Sequence, residues 1–262
     1  MTDPIERTME RRRQLTDRER ALYEWQLDIP GFGEAAQLKL RNATALVSRI
    51  GGLGGPIALG LAAAGIGRLI LAHGGDLQPS DLNRQILMRH DGLDRPRVES
   101  AKRTLNSFNP HVEVEVVAAH ISEENVKGLV EKSDIVFDAA PRFSERFWMN
   151  EQCVLQRKPL IDAAMFSMEG QVIPIVPGQT PCLTCIYPDE PPHWDRRFPV
   201  LGAVSALIGN LAVVEGIKVL TGFGQANLSK IIYVDANSME MRKIAVQRRR
   251  DCPVCGTLEL RD

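Results

Sequence analysis

The residues of this chain that could do chemistry fall into two groups, and sulfur is the clearer. Four of its five cysteines lie in two pairs, Cys182/Cys185 in PCLTCIYP and Cys252/Cys255 in DCPVCGT. A two-residue spacer lets both thiolates of one turn point at a single tetrahedral ion. Pro181, Pro253 and Gly256 supply the loop-forming residues around them. Together the pairs predict a four-thiolate zinc site, structural because it leaves no open coordination position. The alternative is two unrelated redox or buried pairs. The fifth, Cys153, follows FWMNEQ in a helical pattern and is expected to pack in the core.

The second group surrounds a glycine turn. Residues 43–76, ATALVSRIGGLGGPIALGLAAAGIGRLILAHGGD, read as strand, turn, helix, strand, the opening unit of a nucleotide-binding fold. Gly51, Gly52 and Gly54 expose backbone N–H groups at a helix N-terminus, where phosphate binds. Arg49 stands where the first glycine of such a turn is expected. It either swings onto an anion or blocks the phosphate path. His73 stands where the second strand should end in an acid that holds a ribose. A neutral imidazole accepts one hydrogen bond only. Asp76, three residues on, is a candidate substitute, though both residues read equally well as plain loop.

The elements that must position these groups follow from periodicity. TALVSRI, RLILAH, VEVEVVAAH, DIVFDAA and PLIDAAM read as strands, with GQVIPIVP continuing in β structure. Helices fall between them: GPIALGLAAAGIG, with Pro56 near its first turn and Gly65 to Gly67 ending it; a start at SDLNRQILMR capped by Ser80 or Asp81; RPRVESAKRTLNSFN; SEENVKGLVEKS with a capping box near Ser122 and Asn125; and ERFWMNEQCVLQR. Alternation of strand and helix predicts an α/β fold with a doubly wound, mostly parallel (Rossmann-like) sheet. A long helix around 201–221, the strands KIIYVDA and MRKIAVQ, and the second cysteine pair form a C-terminal β-containing half that bears the structural zinc site. The chain is expected to be one domain over 1–262: an N-terminal helical segment at 1–42, a nucleotide-binding half at 43–177 and a zinc-bearing half at 178–262.

Composition narrows the function classes. The net charge of -1 implies no bulk attraction to nucleic acid or to a membrane surface, and 44% hydrophobic residues suffice for a substantial core. The run Arg11, Arg12, Arg13 reads as a solvated face. The charged start has no apolar stretch of signal-peptide type, and the most apolar helix carries Asn210, Glu215 and Lys218, which marks it as a core helix. A cytoplasmic protein is expected.

The ordered set of glycine loop, DLNRQ, RPRVESA, DIVFDAA, MEGQV and two Cys-x-x-Cys pairs, from about Leu15 to Gly256, resembles the ThiF/MoeB/HesA proteins, bacterial relatives of the ubiquitin-activating E1 enzymes. The resemblance implies that ATP and Mg²⁺ bind on the sheet. It also implies that the C-terminal Gly-Gly carboxylate of a ubiquitin-like sulfur carrier protein attacks ATP, giving an acyl adenylate and pyrophosphate. A homodimer is implied, with an N-terminal arginine reaching the neighbour's site.

Carried over residue by residue, the family motif Asn-Leu-x-Arg-Gln appears as Asp81-Leu82-Asn83-Arg84-Gln85. Arg84 matches the triphosphate-binding arginine, Gln85 stays with it in the nucleotide pocket, and the asparagine is Asp81. Arg97 replaces a catalytic lysine, keeping charge but not shape. The metal-binding acid falls on Pro141, the partner's arginine on Trp25, the ribose acid on His73 and the first loop glycine on Arg49. Asp138 matches a different family acid. Asp195 lies near the position of the nucleophilic cysteine that some relatives carry. Two readings follow. In one the chain is an E1-like adenylyltransferase with Arg49, Arg84 and Arg97 neutralising the phosphates. In the other it is a non-catalytic scaffold or ligand-binding protein on the same fold. NAD(P)-linked redox chemistry is a third, disfavoured by DLNRQ and by AHGGD, which lacks an acid at the strand end.

Overall fold

The structure is a computed structural model, and it describes residues 14–191 and 199–258. The arginine run at 11–13 and Asp195 lie outside the described residues. Two short helices, α1 (Asp17–Leu22) and α2 (Glu24–Leu27), lead into α3 (Gly33–Asn42). The alternating part follows: β1 (Thr44–Ser48), α4 (Gly54–Ala64), β2 (Arg68–Ala72), α5 (Arg97–Phe108), β3 (Glu113–Val117), α6 (Glu123–Glu131), β4 (Ile135–Asp138), α7 (Phe143–Leu155) and β5 (Leu160–Phe166). Then come β6 (Glu169–Ile175), α8 (Leu183–Ile186), α9 (Gly202–Thr221), β7 (Lys230–Asp235) and β8 (Glu240–Ala245).

The strands form one eight-stranded sheet in the order β3-β2-β1-β4-β5-β6-β7-β8. β3, β2, β1, β4 and β5 pair in parallel, and β5 to β8 antiparallel. The mostly parallel α/β sheet expected from the sequence is therefore present. Its parallel strands are apolar on both faces because helices cover both. Ala45 and Val47 of β1 pack with Ile57 and Leu61 of α4, Leu105 of α5 and Ile208 of α9. Leu46, between them, faces the opposite layer with Val126 of α6, Met149 and Cys153 of α7 and the four other cysteines. Cys153 is thus a core residue.

Local signals fix several helix ends. Gly65 closes α4 with φ +83°, and Ser122 with Asn125 forms the capping box of α6. The helix expected to start at Ser80 or Asp81 is only a 3₁₀ turn, Pro79–Asp81. Asp81 accepts from Gln78 N–H at 3.0 Å and from Gln85 Nε2 at 2.8 Å, so its carboxylate folds the segment back on itself instead of capping a longer helix.

Only α9 among the described helices is long and apolar enough to cross a membrane by length and composition. Here it packs on β5, β6 and α4. Its Glu215 is buried, accepting from Lys218 Nζ at 2.7 Å and from the backbone N–H of Asn227 at 2.7 Å, as a core helix requires. Close approach needs Gly216: a Cβ there would fall on the ring of Phe137. A Cβ at Gly128 in α6 would meet nothing within 4 Å. Gly216→Ala is accordingly expected to destabilise by about 1–3 kcal/mol through overpacking. Gly128→Ala should be neutral or stabilise by up to about 1 kcal/mol. Thermal denaturation of the two variants checks both, and equal midpoints would contradict the packing described.

Candidate functional site

β2 and β3 lie to one side of β1, and β4 and β5 to the other. The direction of winding reverses between β1 and β4, so the loops leaving their carboxyl ends part and open a crevice, where open α/β sheets bind ligands. Arg49, the loop glycines, His73, Arg84 and Arg97 gather near this edge. Arg49 follows β1 directly, in the left-handed region at φ +54°, with its N–H on Ala72 O at 2.7 Å. Gly54 is needed here because a Cβ would lie 2.5 Å from Arg49 O. Gly52 lets Ser205 of α9 approach, its Oγ being 3.0 Å from a Cβ built there. Gly51, Gly52 and Gly54 therefore occupy the strand-to-helix turn, as expected.

The arginines are not free. Arg49 binds Glu145, in the first turn of α7, through Nε at 2.8 Å and through Nη2. Its Nη1 faces Nε2 of His120, beyond β3, at 2.9 Å. Nδ1 of His120 accepts the Gly74 N–H at 3.0 Å, and Gly74 O accepts from Arg97 Nη1 at 3.1 Å. Arg97 also grips Asp81 Oδ2 through Nε at 3.1 Å and Nη2 at 2.7 Å. The other oxygen of Asp81 takes Gln85 Nε2 at 2.8 Å and Arg84 Nη2 at 3.2 Å. A chain of polar contacts therefore runs Glu145–Arg49–His120–Gly74–Arg97–Asp81–Arg84 across the carboxyl ends of four strands. Asp81, read from sequence as an unfavourable charge beside phosphate, is buried and neutralised by two arginines.

His73 is buried beside this chain, its ring 5.6 Å from that of His120, and its Nδ1 has no partner. Burial, with Arg97 and Arg49 nearby, pushes its pKa down to about 3, so the ring is neutral at physiological pH. Asp76 stands apart from the chain: it is exposed and bridges Pro96 through its backbone. Gln85 is buried with Oε1 unpartnered. Trp25 is 89% exposed on α2, which Gln26 anchors to Ala64 O at the far end of α4 from the glycine turn.

Beneath the crevice lies a charge cluster that the sequence reading missed. Arg146 of α7 makes hydrogen bonds of 2.7 Å to both oxygens of Asp162 and sits 3.6 Å from Asp138 Oδ2, all three residues being buried. Burial and the neighbouring Asp162 raise the Asp138 pKa. Arg146 and Asp162 were findable: a charged residue inside an apolar strand or helix pattern implies a buried partner.

Fit to the implied ions differs between sites. The ligand atoms of Cys182, Cys185, Cys252 and Cys255 all lie within 4.8 Å of one another, in buried residues. Burial pushes the Cys185 thiol up to about 11 and raises that of Cys182 as well. A dication would reverse that balance in favour of thiolates, so this donor set fits zinc. Mg²⁺ prefers unpaired oxygens. Around the crevice the Pro141 side chain offers none, Asp81 and Glu145 are each paired with arginines, and Asp138, whose Oδ2 makes no hydrogen bond, is wholly buried 3.6 Å from Arg146. The residues present do not fit Mg²⁺. A cleft of about 440 Å³ beside α5, lined by Gly92, Arg95, Pro96, Glu99, Ser100 and their neighbours, is a separate feature that brings together none of the expected site residues.

Comparison with known proteins agrees with this architecture. The model of the ThiF family matches residues 23–254. Protein HesA, heterocyst, of Trichormus variabilis is 49% identical over 243 residues, covering 92% of this chain and 91% of that protein. Adenylyltransferase and sulfurtransferase MOCS3 of Drosophila yakuba is 35% identical over 94% of this chain, which spans 55% of that protein. The crystal structure of E. coli MccB with ATP superposes with a TM-score of 0.77 at 25% identity, covering 85% of this chain and 69% of that one.

For the metal centre, elemental analysis should find about one zinc per chain. Cys185→Ser should lose it and lower the melting temperature by on the order of 10 °C. Full retention of the metal in that variant would rule out the four-thiolate site.

Proposed function

The chain belongs to the ThiF family, and on that premise we propose that it activates a carboxylate with ATP. The substrate would be the C-terminal Gly-Gly carboxylate of a ubiquitin-like sulfur carrier protein or a peptide resembling it. A carboxylate oxygen bonds to the α-phosphorus, the bond from that phosphorus to the bridging oxygen breaks, and pyrophosphate leaves with the electron pair. The reaction needs cations where negative charge accumulates on the leaving group, and donors that hold the phosphates in line. Arg84 and Arg97, fixed by Asp81 at the N-terminal end of α5 and the preceding turn, supply the cations. The turn at Gly51, Gly52 and Gly54 offers N–H groups at the start of α4. His73, neutral and partnerless at Nδ1, offers one hydrogen bond to the nucleoside.

The observation that carries this reading is the convergence of three arginines on the crevice between β1 and β4. Trp25 faces outward and cannot reach this crevice in its own chain, so any role it has there belongs to a homodimer. Buried free thiols suit a reducing, cytoplasmic setting.

One observation favours the second reading, a scaffold that binds a carrier tail or another ligand without adenylation: each crevice arginine already touches an internal carboxylate or a backbone carbonyl. ATP–pyrophosphate exchange with a Gly-Gly-ended carrier separates the two. Exchange is expected in the wild type, falling by about 10²–10³-fold in Arg84→Ala. Carrier binding without exchange, for every such carrier tried, would establish the scaffold instead.

A further inference from the structure

This inference rests on the nucleotide reading above and concerns the residue that departs most from a glycine turn. Arg49 is nearly enclosed, 13% of its side chain exposed, and Glu145 takes its Nε and Nη2 edge. Its Nη1 edge is left facing Nε2 of His120. That ring cannot accept there as well as at Nδ1, which already takes the Gly74 N–H at 3.0 Å. A neutral imidazole has one acceptor nitrogen and one N–H. Partial burial and the neighbouring Arg49 push its pKa down, which favours the neutral ring. With Nδ1 accepting, the proton lies on Nε2, and two donors 2.9 Å apart face each other with no acceptor between them. Beside them His73, buried to nine-tenths, leaves Nδ1 without a partner. At Arg49 and His120 the end of the crevice nearest β3 and β2 thus presents two donors with no acceptor between them. Surplus donors on a cationic wall are the complement of an anionic oxygen.

We propose that Arg49 Nη1 and His120 Nε2–H form a two-donor cradle for a phosphate oxygen of the nucleotide, that Glu145 is the positioning residue that turns this edge of Arg49 into the crevice, and that the cradle makes binding independent of a divalent cation. Arg49 keeps its carboxylate while it donates from the other edge, so no buried charge is stranded when the ligand enters. The guanidinium fork is suited to this double duty, which a lysine could not perform. The misfit of the crevice to Mg²⁺ follows, because the acids that could hold the metal hold arginines instead.

The test is calorimetric titration with ATP, in EDTA and again with Mg²⁺, on the wild type, Arg49→Gly, His120→Phe, Glu145→Gln and the Arg49→Gly/Glu145→Gln double variant. Glycine suits the left-handed conformation at position 49, so that variant should fold. Wild-type affinity should change less than twofold with Mg²⁺. Arg49→Gly should weaken binding by about tenfold or more and His120→Phe by several-fold. Glu145→Gln should weaken it by a few-fold, with no further loss on top of Arg49→Gly, although the melting temperature falls because the buried pair is broken. A purely structural Glu145 would add its loss of affinity to that of Arg49→Gly. Unchanged or tighter binding by Arg49→Gly, or wild-type binding that requires Mg²⁺, overturns the cradle alone. Failure of every form to bind ATP overturns the cradle and the adenylation reading together.

Discussion

The reversal of winding between β1 and β4 governs the whole molecule. At that point the loops above the sheet must diverge, and backbone donors, glycine turns and side chains from four strands come to share one edge. Apolar packing on both faces of the sheet makes the edge rigid, since Ala45, Leu46 and Val47 are wholly buried, alternating between two layers. Among the described residues, the candidate site groups other than the cysteine cluster are gathered along this one line of strand ends.

Along that line the protein keeps charges in pairs that water would otherwise separate. An arginine–carboxylate contact is weak at a surface and strong where solvent is displaced, but only if both partners stay in place. Asp81 shows the consequence. It gathers Arg84, Arg97, Gln85 and the Gln78 backbone around one carboxylate, and the loop between β2 and α5 takes its course from those contacts. The Arg146–Asp162 pair does the same one layer deeper, with Asp138 beside it. The candidate site is held in shape by its own ion pairs.

Much of this was legible in the sequence, and what was not has identifiable reasons. Alternating apolar strands and glycine-ended helices gave the parallel α/β sheet, and the two Cys-x-x-Cys pairs gave the cysteine cluster, because both signals are local spacings. Arg49, His73, Arg84 and Arg97 could be named as candidate site residues from their motifs, and the structure brings them near one edge of the sheet. Their partners could not, because Glu145 lies 96 residues from Arg49 and His120 lies 71 residues from it. No pattern along the chain records which loops a strand order brings together. The segment around Asp81 was read as a helix start because its residue types favour caps; the arginines that claim the carboxylate became visible only in three dimensions. Pro141 and Trp25 could be named as departures from sequence alone, but that the neighbouring acids are also engaged could not.

The cysteine cluster joins segments 70 residues apart, one just beyond β6 and the other just beyond β8. Between them lies the outermost ribbon of the sheet, whose last strand is exposed along its whole length. Such a ribbon would ordinarily unzip one hydrogen bond at a time from its free side. With an ion seated between the thiolates, a pull on the chain beyond Cys255 is borne first by metal–sulfur bonds anchored against the buried face of α7. The ribbon then yields, if at all, as a closed loop, and the C-terminal region becomes mechanically the hardest part of the molecule to peel away.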